Sequence, residues 1–379
     1  MGAGAHDEEV RGSRVAPLFA VLAAALAVGA RLTNAGAASV TVRAGTDATL
    51  MPPMIALHLR DGAGRSLKPV DAGEAELMGD LPVLAILDTG ASAHLLSHDT
   101  AARYGVRSEP GARWTETGMT GDHALGVTAA YGLALDGGGE LSERGRPAAP
   151  APIVLAEQHF LVNDVAGTLE AMLTSPGAVV DVVGMPALQH AVAEIRPAGG
   201  GLAPATVALL DPGDTVRVDH WLPLALVDFA RHHDPKNRGT PPTLAPNPIL
   251  RGVRVTHDGR STRGDWLVDT GSAITILSAA AAKSLGLSGP APLSAPVGGI
   301  SGAQQALPGW HVDRIEIPTS DGDVLALTDA AVFVHDVTTV TDDGTRVTLD
   351  GIFGANQLEA FTRVVIDVPH ARLGVDVKP

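Results

Sequence analysis

Polar and apolar residues alternate over 39–43 (SVTVR) and 54–60 (MIALHLR), the period of a strand with one buried face. A denser apolar run over 81–87 ends at Asp88-Thr89-Gly90-Ala91-Ser92. Residues 215–227, 361–368 and 372–377 also read as strands, the last two completing a sheet between two halves of the chain. Two short helices are expected, 97–104 ending at Gly105 and 278–285 ending at Gly286. Short strands dominate, so the pattern predicts a mainly β protein.

The run into Asp88 has a second copy. Ala85-Ile86-Leu87-Asp88-Thr89-Gly90-Ala91-Ser92 returns as Trp266-Leu267-Val268-Asp269-Thr270-Gly271-Ser272-Ala273, each an apolar strand, a tight turn and a second apolar segment. One such string is an ordinary turn after a strand, but other features repeat with it. Thr117-Gly118-Met119-Thr120-Gly121 matches Gly298-Gly299-Ile300-Ser301-Gly302, and Gly121 and Gly302 each follow their aspartate by 33 residues. Both segments suit hairpin tips. Further on, Val182-Val183-Gly184 with Leu188 matches Ile352-Phe353-Gly354 with Leu358. The two helices are a further matched pair, so the chain reads as an internal duplication with one aspartate per half.

Two aspartates a few Å apart cannot both ionise; they share one proton and serve as base and acid together. The glycine two residues after each lets the chain turn where a Cβ would obstruct it.

With these motifs the sequence resembles the aspartic proteases, which occur as bilobal pepsin-like enzymes and as single-lobe retropepsins that dimerise. The resemblance covers roughly residue 50 to the C-terminus. It implies two homologous β-barrel-like lobes with an active-site cleft between them, Asp88 and Asp269 as the catalytic dyad, and Thr89 and Thr270 interlocking beneath it. Gly90, Gly271 and Ser272 would support the dyad, and the flaps, Met119, Thr120 and Gly121 with Ile300, Ser301 and Gly302, would bind substrate. It implies hydrolysis of peptide bonds in an extended peptide or protein, with no cofactor. A duplicated chain holds both aspartates, so a monomer is expected.

Two departures from the pepsin pattern matter. The first flap lacks a tyrosine, Tyr131 lying too far along, so both flaps look retropepsin-like. A hydroxyl directly after Asp-Thr-Gly can donate to the carboxylate and lower its pKa. Ser272 provides one, but the first half has Ala91, as retroviral enzymes do. Activity toward mildly acidic or neutral pH follows as the expectation. The same residues admit two other readings, a peptide-binding module without turnover and a processing protease with one target.

Residues 1–37 carry Arg11 and Arg14, an apolar stretch from 15 to 30 and small residues at 35–37, which reads as a signal peptide or N-terminal anchor. Export to the periplasm, the exterior or a membrane surface is expected. The first lobe is then 38–198, the Ala-, Gly- and Pro-rich 199–213 a linker, and 214–379 the second lobe. Residues 135–152 read as an exposed loop. So does the Pro-rich insert 231–248, with a place on the border of the cleft as its alternative. His123, near the first flap, reads as an exposed hairpin histidine.

The 379 residues contain no cysteine, which excludes disulfides, thiol nucleophiles and cysteine-ligated metals. At 45% hydrophobic content the chain suffices for two cores, and a formal charge of −15 argues against nucleic-acid or anionic-membrane binding. His232-His233-Asp234 lacks the spacing that puts two ligands on one helix face, so no metal is expected. No Gly-x-Ser-x-Gly elbow, phosphate-binding loop or zinc helix is present.

Overall fold

The structure, a computed structural model, describes residues 38–46, 51–70, 82–118, 121–136, 153–163, 181–198, 205–229, 234, 236–298, 304–341 and 344–378. The protein is mainly β, with barrel-like sheets in two lobes and a cleft between them. Among the described residues no helix is long and apolar enough to cross a membrane. The expected leader, 1–37, lies outside them, as do 119–120 and 299–303, so Met119, Thr120, Ile300, Ser301 and Gly302 are not placed. The same holds for most of the 135–152 loop and for His232 and His233.

The chain opens with β1 (Ser39–Arg43), β2 (Met54–Arg60), β3 (Val83–Leu87) and β4 (Leu95–Leu96), then α1 (His98–Arg103). A long hairpin follows, β5 (Ser108–Gly118) and β6 (Gly121–Thr128), then β7 (Tyr131–Asp136), β8 (Ile153–Gln158), β9 (Leu161–Val162), β10 (Val182–Val183) and α2 (Met185–Leu188). The first lobe is the sheet β5-β6-β9-β4-β10-β3-β2-β7-β8. Alternation does what it predicts in β2, where Ile55, Leu57 and Leu59 are buried between half-exposed neighbours.

Next come β11 (Val192–Arg196), β12 (Thr206–Leu210), β13 (His220–Val227), β14 (Asn247–His257), β15 (Arg260–Val268) and β16 (Ile276–Leu277), then α3 (Ala279–Leu285). The second lobe continues with β17 (Leu293–Gly298), β18 (Gln304–Pro318), β19 (Val324–Val334), β20 (Thr338–Val340), β21 (Arg346–Thr348), β22 (Gly351–Phe353) and α4 (Ala355–Leu358). β23 (Phe361–Asp367), a 3-10 turn (Val368–His370) and β24 (Arg372–Val377) end the chain. β14 pairs with both β15 and β18, so the path β14-β15-β22-β16-β19-β18 closes on itself. Closure removes exposed edges.

Both short helices start on a serine whose hydroxyl accepts a backbone N–H from the first turn, Ser97 from Thr100 and Ser278 from Ala281. The second stops on Gly286 at φ 78°, the left-handed conformation a side chain resists. Tyr104 caps the first, and Gly105 follows at φ 66°.

Three segments depart from the boundaries read in sequence. β1, assigned to the first lobe, pairs in parallel with β19 of the second, Ser39 beside Val324 through Arg43 beside Thr328. The expected linker 199–213 contains β12, which buries Val207 and Leu209 and pairs with β11. β12-β11-β23-β24-β13 then forms a central sheet that runs on into the second lobe through β14. The insert is no free surface loop. Arg113 and Arg238 exchange both backbone hydrogen bonds, Thr243 and His159 are bonded through backbone and hydroxyl, and Ala245 N–H donates to the Ser92 carbonyl. Proline-rich backbone makes few hydrogen bonds of its own, and those described at 238, 243 and 245 are made to the first lobe.

Candidate active site

β3 and β15 each lead directly into an aspartate, and the chain then turns through Thr-Gly. Beneath the turns the threonines are fully buried and bonded into each other's motif. Thr89 N–H donates to Thr270 Oγ1 and Thr270 N–H to Thr89 Oγ1, both at 3.1 Å. Thr89 Oγ1–H donates to the Val268 carbonyl at 2.6 Å and Thr270 Oγ1–H to the Leu87 carbonyl at 2.5 Å. At about 1 kcal/mol per hydrogen bond, more for one left unsatisfied, this lattice fixes the two lobes against each other.

The strands behind the turns repeat the symmetry. β10 lies parallel to β3 and β22 parallel to β15, with Asp88 N–H donating to the Val183 carbonyl and Asp269 N–H to that of Phe353. Gly184 and Gly354 pack against the outgoing chain, where an added Cβ would fall 2.2 Å from the Ala93 carbonyl oxygen and 2.1 Å from that of Ile274. Each glycine N–H is taken by the residue six after the aspartate, His94 Nδ1 in the first lobe and Thr275 Oγ1 in the second, both at 3.1 Å. The apolar-apolar-Gly motif is thus the clamp that holds each Asp turn.

His94 is fully buried, and burial pushes its imidazole down to about 3. A histidine held neutral contributes stability that is complete above its ordinary value of 6.5 and is lost as pH falls below it. His94→Thr, borrowing the second lobe's solution, is expected to flatten the fall of melting temperature between pH 7 and 4. Thermal melts across that range check it; an unchanged slope would place the acid sensitivity elsewhere.

At the surface of the turns the two carboxyls hydrogen-bond to each other. Asp88 Oδ1 also accepts the N–H of Gly90 at 2.7 Å and of Ala91 at 3.2 Å, and Asp269 Oδ1 accepts that of Ser272 at 2.9 Å. Burial raises Asp88, opposed by the hydrogen bond from Asp269 and those backbone donors. Burial, then the charge of Asp88, hold Asp269 well above the carboxylate range. The pair therefore shares one proton between two carboxyls that burial raises.

Two sequence expectations change here. The Ser272 hydroxyl donates to the Ile274 carbonyl at 2.8 Å rather than to Asp269, so the two halves are alike in giving their carboxylates backbone donors. The glycines of the motifs are needed less for the turn than for the opposite carboxyl. A Cβ on Gly271 would lie 2.3 Å from Asp88 Cγ, and one on Gly90 2.6 Å from Asp269 Cγ.

Asn247, which carried no signal in the sequence, locks the first turn from the second lobe. Its Nδ2 donates to the carbonyls of Thr89 and Gly90 at 3.1 and 3.0 Å, and its Oδ1 accepts the Ser92 hydroxyl at 2.6 Å. An Asn-Pro pair at the end of an insert reads as a turn, and only the fold brings it beneath Asp88.

The dyad opens into a cavity of about 230 Å³ lined by Trp114, Thr115 and Glu116 from β5 and by Thr338, Thr339, Val340 and Arg346 from β20 and β21. β5–β6 and β17–β18 are the hairpins whose tips were expected to be flaps, closing at the pairs Gly118–Gly121 and Gly298–Gln304. Arg346 Nη2 reaches Asp122 on the first hairpin at 2.7 Å, joining the lobes across the top of the cleft. Among the described residues, His257, Asp258 and Asp313 bring metal-ligand atoms within 4.8 Å of one another, at the β14–β15 turn and on β18; none lines the cavity.

No family model matches the sequence, and no curated protein matches it. Among solved structures, the chain is similar to the basic 7S globulin from soybean at 12% identity and a TM-score of 0.42, covering 86% of this chain and 96% of that one. It is similar to an aspartic proteinase from Irpex lacteus at 13% identity and a TM-score of 0.43, with the same coverage of 86% and 96%.

Proposed function

We propose that the protein is an aspartic-type endopeptidase in which Asp88 and Asp269 activate water. The observation that carries this reading is the pair of aspartates at the floor of a cleft between lobes, each carboxyl seated against the glycine of the other's motif above the interlocked threonines. A water bound there gives a proton to ionised Asp88 and attacks the scissile carbonyl carbon, while the Asp269 proton hydrogen-bonds to the carbonyl oxygen. The gem-diol then collapses, its C–N bond breaks and the leaving nitrogen takes up a proton, with no covalent enzyme intermediate. Strand-like peptide backbone pairs with the hairpin edges above the dyad, and retropepsin-like glycine tips would close over it. One chain carries the whole dyad, so it acts as a monomer, and the leader sends it out of the cytoplasm.

The test is cleavage of a diverse peptide library by the purified chain from about pH 3 to 8, read by mass spectrometry. Activity is expected to rise as the pair loses its first proton and fall as it loses the second, a bell whose alkaline limb extends toward neutrality because burial raises both carboxyls. If every peptide survives intact at every pH, general proteolysis is excluded. Peptide binding without cleavage would then favour the peptide-binding module.

A further inference from the structure

The cavity wall holds a carboxylate for which the hydrolysis has no use. Glu116, near the end of β5, lines the same cavity as Asp88 and Asp269 and is half-buried. Its neighbour in the chain, Thr115, donates its N–H to Asn237 Oδ1 at 2.7 Å, and Asn237 N–H donates to the Asp234 carbonyl at 2.8 Å. Asp234 from the insert lines the cavity too. The cation in the lining, Arg346, is held by Asp122. Glu116 forms no ion pair among the described residues; His123 stands opposite it across the β5–β6 pairing, and the Trp114 indole donates to it.

We propose that Glu116 is the specificity-determining acid of a subsite for a lysine or arginine side chain flanking the scissile bond. Burial pushes the Glu116 carboxyl up to about 7, which marks desolvation without a compensating charge. A basic side chain reaching along the cleft supplies that charge, and its aliphatic stem packs on the indole of Trp114. A half-buried acid with no cation discriminates, because a basic side chain favours its ionised form while a neutral one leaves it protonated and an acidic one adds repulsion.

The inference rests on the peptidase reading for its substrate, and its test separates the two. Fluorescein-labelled peptides that differ only in carrying Lys, norleucine or Glu at each flanking position in turn are titrated against the full chain carrying Asp88→Asn. The Lys peptide is expected to bind at least about tenfold tighter than the norleucine peptide at one position, in line with a charge-assisted hydrogen bond. Adding Glu116→Gln should bring that ratio to within about twofold with norleucine binding unchanged, and Glu116→Lys should turn the preference toward Glu. Absence of a Lys preference, or its survival in both Glu116 variants, overturns the proposal. A Lys preference that depends on Glu116 in a wild-type chain that cleaves nothing would keep the subsite and reject the peptidase. Cleavage with no basic preference would do the reverse.

Discussion

Replacing either Asp88 or Asp269 by Asn is expected to lower kcat for peptide cleavage by about 10³-fold or more, within reach of what positioned acid-base groups supply. Asn at 88 cannot take the proton of the attacking water. Asn at 269 cannot pass a proton on, and its amide also replaces the hydrogen bond that keeps Asp88 ionised. Melting curves of the same variants distinguish a chemical role from a structural one. Both carboxyls are raised above 3.8, so the folded state holds protons more tightly than the unfolded chain. The stability this gives is complete below that value and is lost as pH rises through the raised values. Each Asn variant is therefore expected to melt higher than the wild type at pH 8, with the gap narrowing toward pH 4. A variant that loses activity and melts lower at pH 8 would show that the aspartate serves the fold, and the shared proton would have to be given up.

Gly271→Ala is expected to be nearly as damaging to activity for a different reason. Gly271 is not in the positive-φ region, so the backbone accepts alanine without strain. The obstacle is the Asp88 carboxyl, whose Cγ and Oδ2 would lie 2.3 and 2.4 Å from the new methyl. Overpacking of this kind costs about 1–3 kcal/mol, and a carboxylate displaced by about 1 Å loses on the order of 10²-fold in rate. A double-mutant cycle isolates the cause: with Asp88→Ala in the background, the stability cost of Gly271→Ala should fall to near zero. If it persists, the methyl clashes with backbone, and the account of why glycine stands there is wrong.

What the sequence made legible was local and repeated. Ser97 with Gly105 and Ser278 with Gly286 bound helices because capping and left-handed termination act within one turn. The Asp-Thr-Gly turns, the apolar-apolar-Gly clamps and the alternation of β2 are likewise short-range statements that a duplication lets one read twice. Partners were not legible. SVTVR at 39–43 announces a strand without saying that its mate is β19, and Val207 and Leu209 announce nothing until β11 lies beside them. Side-chain hydrogen bonds failed the same way: the Ser272 hydroxyl donates to the Ile274 carbonyl, not to the aspartate its position suggested. Asn247 and Glu116 matter through residues more than a hundred positions away, which no pattern along the chain encodes.

The parallel pairing of β1 with β19 reaches beyond stability into how the molecule can be made. The first described strand to leave the ribosome waits through synthesis of the whole first lobe and most of the second before Val324–Thr328 exists to receive it. Closing so long a loop slows folding more than it weakens the product. The repeat in the sequence invites the thought of two independent modules, yet separating the chain between the central strands would strand β1 with the first fragment and leave the Val324–Thr328 edge of the second uncovered. The halves repeat one pattern, but the crossing of β1 makes them a single unit that fragments, permutations and lobe swaps must carry together.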